Sequence, residues 1–191
     1  MNIKQLFPSN NDDIHSLLLL SRLELTCSQS LYLESHLRSD HFGSLSHLTS
    51  LSLAYCKLAT LPPRSFVGLS ALNALSIAAH NADWASALSL DLDYEAFVGL
   101  DRVAALGLAH NRILRLPERL LCPLLNLSTL DLRYNGLRDL EDLGLRAASE
   151  DPEEAVNSVA ECGVALQKLD LRYNTIQALT PGKIFVPSNY M

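Results

Sequence analysis

Large rings are scarce in this chain. Aromatic residues make up 6% of its 191 positions, with one tryptophan and two methionines. Hydrophobic residues still reach 48%, and leucine carries most of them, which suits a narrow, repetitive core better than an irregular one. Positive charge is also in short supply, with 15 Lys and Arg against 21 Asp and Glu and a formal charge of −6. That balance disfavours a broad phosphate-binding surface, so nucleic acid is not an expected partner. No long apolar run is present. The leucine run Leu17 to Leu20 falls far short of the ~20 residues of a membrane-spanning helix. It follows Asp12 and Asp13, where a secretory signal would need a basic stretch. On these grounds the chain is either intracellular or a piece of a secreted protein whose signal lies outside this sequence.

Catalytic signatures are missing too. There is no H-E-x-x-H, Walker loop, G-x-S-x-G or paired C-x-x-C. The expectation is a non-enzyme with no cofactor. His36, His41 and His47 cluster in sequence, but their spacing matches no metal motif, so no metal site is expected.

What is present is one frame, repeated. It reads Val103-Leu106-Leu108-Asn111-Ile113, then Leu127-Leu130-Leu132-Asn135-Leu137, then Leu166-Leu169-Leu171-Asn174-Ile176. An earlier copy, Leu48-Leu51-Leu53-Cys56-Leu58, has Cys at the Asn position, and a weaker one, Leu72-Leu75-Ile77-His80, has His. This is the leucine-rich-repeat signature. It predicts an α/β solenoid, a horseshoe segment with one short parallel strand per repeat on its concave face. Surfaces of this kind usually hold another protein.

Within each frame the fourth and sixth positions, such as Leu130 and Leu132, alternate with polar neighbours as a strand does and point inward. The Asn side chain is expected to satisfy backbone groups buried at the turn and to stack into a ladder. Return segments contain Phe66-Val67-Gly68-Leu69, Phe97-Val98-Gly99-Leu100 and Leu121-Cys122-Pro123-Leu124, which are expected to fill the convex side. A unit spans 24 residues from Leu48 to Leu72, but 31 from Leu72 to Val103 and 39 from Leu127 to Leu166. Insertions are therefore placed near residues 81–95 and 141–165, with a short helix over 155–164 in the second. Residues 1–19 read as an irregular segment and 20–191 as one repeat domain of about 5–6 units. No cap is legible after Leu179, so the chain is expected to be a fragment whose isolated last coil self-associates.

The concave face changes along the solenoid. Ser50, Ser52, Ala54, Ala74, Ser76, Ala78, Ala105, Gly107 and Ala109 make it smooth at first. Thr129, Asp131, Arg133, Lys168, Asp170 and Arg172 then make it polar, with Tyr134 and Tyr173 in the turns. Asp131 is expected to face Asp170, and Arg133 to face Arg172, with diagonal Asp–Arg pairing relieving the like charges. These eight residues are the candidate ligand-binding set, since Arg and Tyr are frequent interface anchors. The plainer alternative is a surface ladder satisfied within itself. His80 and His110 read as turn residues rather than as ligands.

Four cysteines allow two bridges. Cys122 and Cys162 flank one coil, and in an oxidising compartment a bridge between them would staple the second insertion to the solenoid. Cys27 and Cys56 lie in neighbouring early coils. Cys56 is accounted for as the turn residue, and its bridge to Cys27 is the less favoured alternative. Asn126-Leu127-Ser128 is a sequon, a glycosylation acceptor at Asn126 in a secreted chain and otherwise a chance match.

The order of certain pieces resembles the N-terminal ectodomain of arthropod Toll receptors, especially the group containing 18-wheeler and Tollo. They are His41-Phe42, Tyr55-Cys56-Lys57-Leu58, His80-Asn81-x-x-Trp84, Phe97-x-Gly-Leu100, Leu121-Cys122-Pro123 and Cys162 before a renewed repeat. The resemblance implies the extracellular recognition segment of a membrane receptor. Its expected partner is a protein, either a Spätzle-type cystine-knot cytokine or a cell-surface protein, in innate immune or developmental signalling. A homodimer of the full-length receptor is a further implied arrangement. It also implies the Cys122–Cys162 pair. A leucine-rich adhesion or secreted protein without a signalling domain is the alternative.

Overall fold

The computed structural model describes residues 19–27, 42–43, 45–80, 89–143 and 166–177. Trp84, the expected helix over 155–164, Cys162, most of both insertions and the expected uncapped end lie outside those residues.

Six strands form one parallel sheet: β1 (Arg22–Thr26), β2 (Ser50–Ala54), β4 (Ala74–Ala78), β6 (Ala105–Gly107), β7 (Thr129–Asp131) and β8 (Lys168–Asp170). Their order in the sheet follows their order in the chain. Each strand pairs with the next at the same frame position, as in Leu51↔Leu75, Leu75↔Leu106 and Leu130↔Leu169. A coil that returns to the same register each time generates a solenoid, not a closed domain.

The alternation read from the sequence sets which side of each strand is inside. Leu51 and Leu53, Leu75 and Ile77, Leu106 and Leu108, and Leu130 and Leu132 are all buried, while the residues between them face out. Phe42, Phe66 and Phe97 fill the side opposite the sheet as a stacked row, with centroids 6.1 Å apart in each pair. Gly68, between Phe66 and Leu69, allows a close approach of neighbouring backbone. Its φ is +100°, and a β-carbon there would lie 2.7 Å from the Gly43 carbonyl oxygen.

A second, two-stranded sheet pairs β3 (Thr60–Leu61) with β5 (Asp91–Leu92). β5 falls at the end of the stretch near residues 81–95 where the spacing places the first insertion.

The asparagine ladder takes the expected place and ties each coil to the one before. Asn111 is fully buried, donates to the Ile77 carbonyl at 2.7 Å and accepts from the Ala79 N–H at 2.9 Å. Asn135 donates to Leu108 at 2.8 Å and accepts from Asn111 and Ile113. Asn174 donates to Leu132 at 2.8 Å and accepts from Leu137.

At the two positions without Asn the tie differs from the expectation. Cys56 is not a free thiol filling a turn: it is disulfide-bonded to Cys27 of the preceding coil, with Cα atoms 4.8 Å apart. In repeat two the frame slips by one residue. Ala79 is buried, and His80 takes the left-handed turn conformation at φ 53°.

Candidate functional site

The polar end of the concave face is built by β7, β8 and the turns that leave them. Register places Thr129 beside Lys168 and Asp131 beside Asp170. Two residues further on, still on the outward face, stand Arg133 and Arg172. The structure therefore brings the eight expected residues together on two adjacent strands, β7 and β8, and the turns that leave them.

Their pairing differs from the expected diagonal. Arg133 forks onto Asp131 of its own strand, with Nε–Oδ1 at 2.9 Å and Nη2–Oδ2 at 2.7 Å. Arg172 does the same with Asp170, at 2.9 and 2.7 Å. The diagonal contact, Arg133 Nε to Asp170 Oδ2, is longer at 3.5 Å. Residues two apart in extended chain share a face, and a guanidinium fork matches a carboxylate bidentately, so the pair within one coil is the closer contact. Asp170 sits between both guanidinium groups.

Electrostatics follow from that geometry. Hydrogen bonding from the Arg172 guanidinium lowers the Asp170 carboxyl from 3.8 to about 2, with further lowering by the Arg172 N–H and the charges of Arg172 and Arg133. Burial pushes the Asp131 carboxyl up, but the Arg133 guanidinium and N–H outweigh it, so the group ends below the usual range. The hydrogen bond to Asp131 in turn holds Arg133 more firmly charged. Like carboxylates on neighbouring strands are thereby kept ionised together.

Tyr134 and Tyr173 belong to a larger feature that the sequence reading did not assemble. Tyr55, His80, His110, Tyr134 and Tyr173 form one continuous column of near-parallel rings. Successive centroids lie 3.9, 4.4, 4.2 and 4.2 Å apart. All five adopt left-handed φ between 53° and 61°. Non-glycine residues enter that region rarely, and here the turn into the ladder position imposes it once per coil. The column runs along the rim where the concave strands end. A hydrogen bond with Tyr173, together with burial, raises the Tyr134 phenol. The available sequence signal was the recurrence of a ring immediately before the ladder residue at Tyr55, His110, Tyr134 and Tyr173.

Next to the charged strands the concave floor is a shallow trough of about 220 Å³, lined by Ser50, Ser52, Ala74, Ser76, Ala105 and Gly107 and bounded by Thr129 and Asp131. It is the smooth stretch expected from the small residues. Asn126 is exposed on the opposite rim, before β7, where its amide donates to the Asp101 carbonyl at 2.7 Å. Cys122 is disulfide-bonded. No helix among the described residues is long and apolar enough to cross a membrane. No group of three or more metal-ligating side chains occurs among them.

A leucine rich repeat family model matches residues 19–81. Over 160 residues, 84% of this chain, the sequence is 33% identical to Toll-like receptor 7 of Drosophila melanogaster. The chain spans 11% of that protein's length. Among solved structures, TLR13 in its complex with ssRNA13 matches 91% of this chain and 24% of its own, at 23% identity and a TM-score of 0.52, a likeness of fold. The internalin inlF of Listeria monocytogenes aligns over 88% of this chain and 46% of its own, at 20% identity and a TM-score of 0.41.

Proposed function

Because the chain is a Toll-like leucine-rich-repeat segment, we propose that it supplies part of the extracellular recognition surface of a membrane receptor. The observation that carries the reading is the Asp131–Arg133 and Asp170–Arg172 pair of strands beside the tyrosine rim. Each guanidinium is held by its own carboxylate, yet keeps outward N–H donors, and the side chains of Arg133 and Arg172 remain 38% and 66% exposed. A rigid, donor-rich strip flanked by aromatic edges is a suitable anchor for a protein partner. The acidic balance of the chain favours a protein over a nucleic acid. The proposed partner is a Spätzle-type cystine-knot cytokine or a cell-surface protein.

Two further features support an extracellular setting. Cys27 and Cys56 are disulfide-bonded to each other, and Cys122 is disulfide-bonded as well. Disulfides of this kind persist in oxidising compartments. A glycan on Asn126 would project from the rim opposite the ring column and leave the proposed strip uncovered.

The test is surface plasmon resonance of the secreted chain against purified Spätzle-type cytokines. Arg133→Ala with Arg172→Ala should weaken binding while the melting temperature barely moves. Unchanged affinity in the double variant would assign the charged strands to a self-satisfied ladder.

A further inference from the structure

Tyr94 stands apart from the other described tyrosines. Tyr55, Tyr134 and Tyr173 are stacked in the rim column. Tyr94 lies on the turn just after β5, outside the six-stranded sheet, and is 56% exposed. Carboxylates surround it in sequence: Asp91 and Asp93 before it, Glu95 directly after it. No Lys or Arg occurs between Ser89 and Asp101.

Asp93 Oδ1 accepts the Glu95 N–H at 2.8 Å and so shapes the turn. Among the described residues, none of the three carboxylates takes part in an ion pair, and the Tyr94 hydroxyl has no hydrogen-bond partner. Elsewhere on this chain a carboxylate near a cation is claimed by it, as Asp131 and Asp170 are. Among the described residues no cation side chain pairs with the carboxylates around Tyr94, and the Arg64 backbone N–H donates to the Glu95 carbonyl at 3.0 Å. An accessible phenol in an anionic field is the substrate form that suits a basic enzyme cleft. An enzyme that carries a polyanionic sulfuryl donor has such a cleft, and charge complementarity steers the acidic segment to it.

We propose that Tyr94 is a tyrosine O-sulfation site, made by an exposed phenol on the β5 turn within an acidic shell of Asp91, Asp93 and Glu95. The inference rests on the extracellular reading, because the sulfuryl donor meets secretory cargo. The phenolic oxygen attacks the sulfur of 3′-phosphoadenylyl sulfate. The new O–S bond forms as the sulfur–oxygen bond to the phosphate breaks, adenosine 3′,5′-bisphosphate leaves, and the phenol proton passes to a base of the sulfotransferase. The product is a sulfate ester with one permanent negative charge and additional acceptor oxygens. It would turn this flank into a docking point for a partner rich in arginine.

The chain is secreted from cultured cells behind a heterologous signal sequence, and peptides spanning residue 94 are read by accurate-mass spectrometry. One sulfuryl group is expected on Tyr94. It should be lost in Tyr94→Phe and in cells grown with chlorate, and kept in Tyr134→Phe. Purified tyrosylprotein sulfotransferase should also modify the folded chain. Asp91→Asn with Asp93→Asn should slow it several-fold, since Asn preserves the bond to the Glu95 N–H but removes the charge. An unmodified Tyr94 in disulfide-bonded, secreted chain, beside a fully sulfated control protein from the same cells, overturns the proposal. So does an adduct that persists in Tyr94→Phe or is removed by phosphatase. Finding the natural full-length protein in a reducing compartment would sink the extracellular reading alone, because the signal-directed and purified-enzyme assays read Tyr94 directly.

Discussion

Cys56 occupies the frame position that Asn111, Asn135 and Asn174 take in later coils, and it is bonded to Cys27 of the coil before it. Each of those asparagines reaches back one coil, through hydrogen bonds of 2.7 to 2.8 Å to the preceding carbonyl. Cysteine cannot make that bond with comparable strength. The covalent link does the same work in its place, closing a loop with a sequence separation of 29.

Removing the bridge should therefore cost stability in two separable parts. Cys27→Ser with Cys56→Ala loses the loop constraint, roughly 3–4 kcal/mol on the chain-entropy account. Cys27→Ser with Cys56→Asn should lose less, because the amide can resume the backward hydrogen bond. Urea unfolding of both variants measures the difference, and equal midpoints would show that the position has no ladder function.

Asn111→Ala should be among the costliest single changes. It leaves the Ile77 carbonyl and the Ala79 N–H without their partner at a fully buried position. Two buried orphans cost about 2–5 kcal/mol together. Thermal denaturation should show it, and hydrogen exchange should localise the loss to the coils of β4 and β6.

Gly68→Ala and Gly99→Ala separate two costs of glycine replacement. Both residues have positive φ, but a β-carbon added at Gly68 would meet the Gly43 oxygen at 2.7 Å, whereas one at Gly99 would meet nothing within 4 Å. Gly99→Ala should cost about 1 kcal/mol from backbone strain, and Gly68→Ala at least twice that, because the Gly43 strand of chain must shift as well. Comparable losses in calorimetry would contradict the close approach.

Asp170 gives a pH signature. Its carboxyl is lowered from 3.8 to about 2 in the folded protein. A lowered carboxylate stabilises the fold above its unfolded value, and that contribution is lost as pH falls through the folded value. The Asp170 contribution should thus fade between pH 3.8 and about 2. Carbon-13 NMR of the side-chain carboxyl should place its midpoint near the lower figure, and Arg172→Ala should move the midpoint upward.

Much of this architecture was readable before folding was considered. Leu130 and Leu132 announce a strand because inward and outward residues alternate with period two. Asn135 and Asn174 announce the ladder because the same frame places them after each strand. The face carrying Asp131, Arg133, Asp170 and Arg172 follows from the same alternation. Their pairing does not. An intrastrand fork and a cross-strand diagonal are equally compatible with the sequence, and only side-chain geometry selects the fork.

The sequence by itself determined the repeat, the strand registers, the leucine core and the charged strands, because each is encoded by spacing within one coil. The tertiary structure alone decided the Cys27–Cys56 bond, the one-residue slip that buries Ala79, and the ring column from Tyr55 to Tyr173. Those depend on which atoms of separate coils come within a few ångströms once the coils stack. Tyr carries no local preference for the left-handed turn that lines the rings up, although His does enter that region more readily than most residues. Their stacking into a column needs neighbouring coils in place, because each ring packs on one from the next coil.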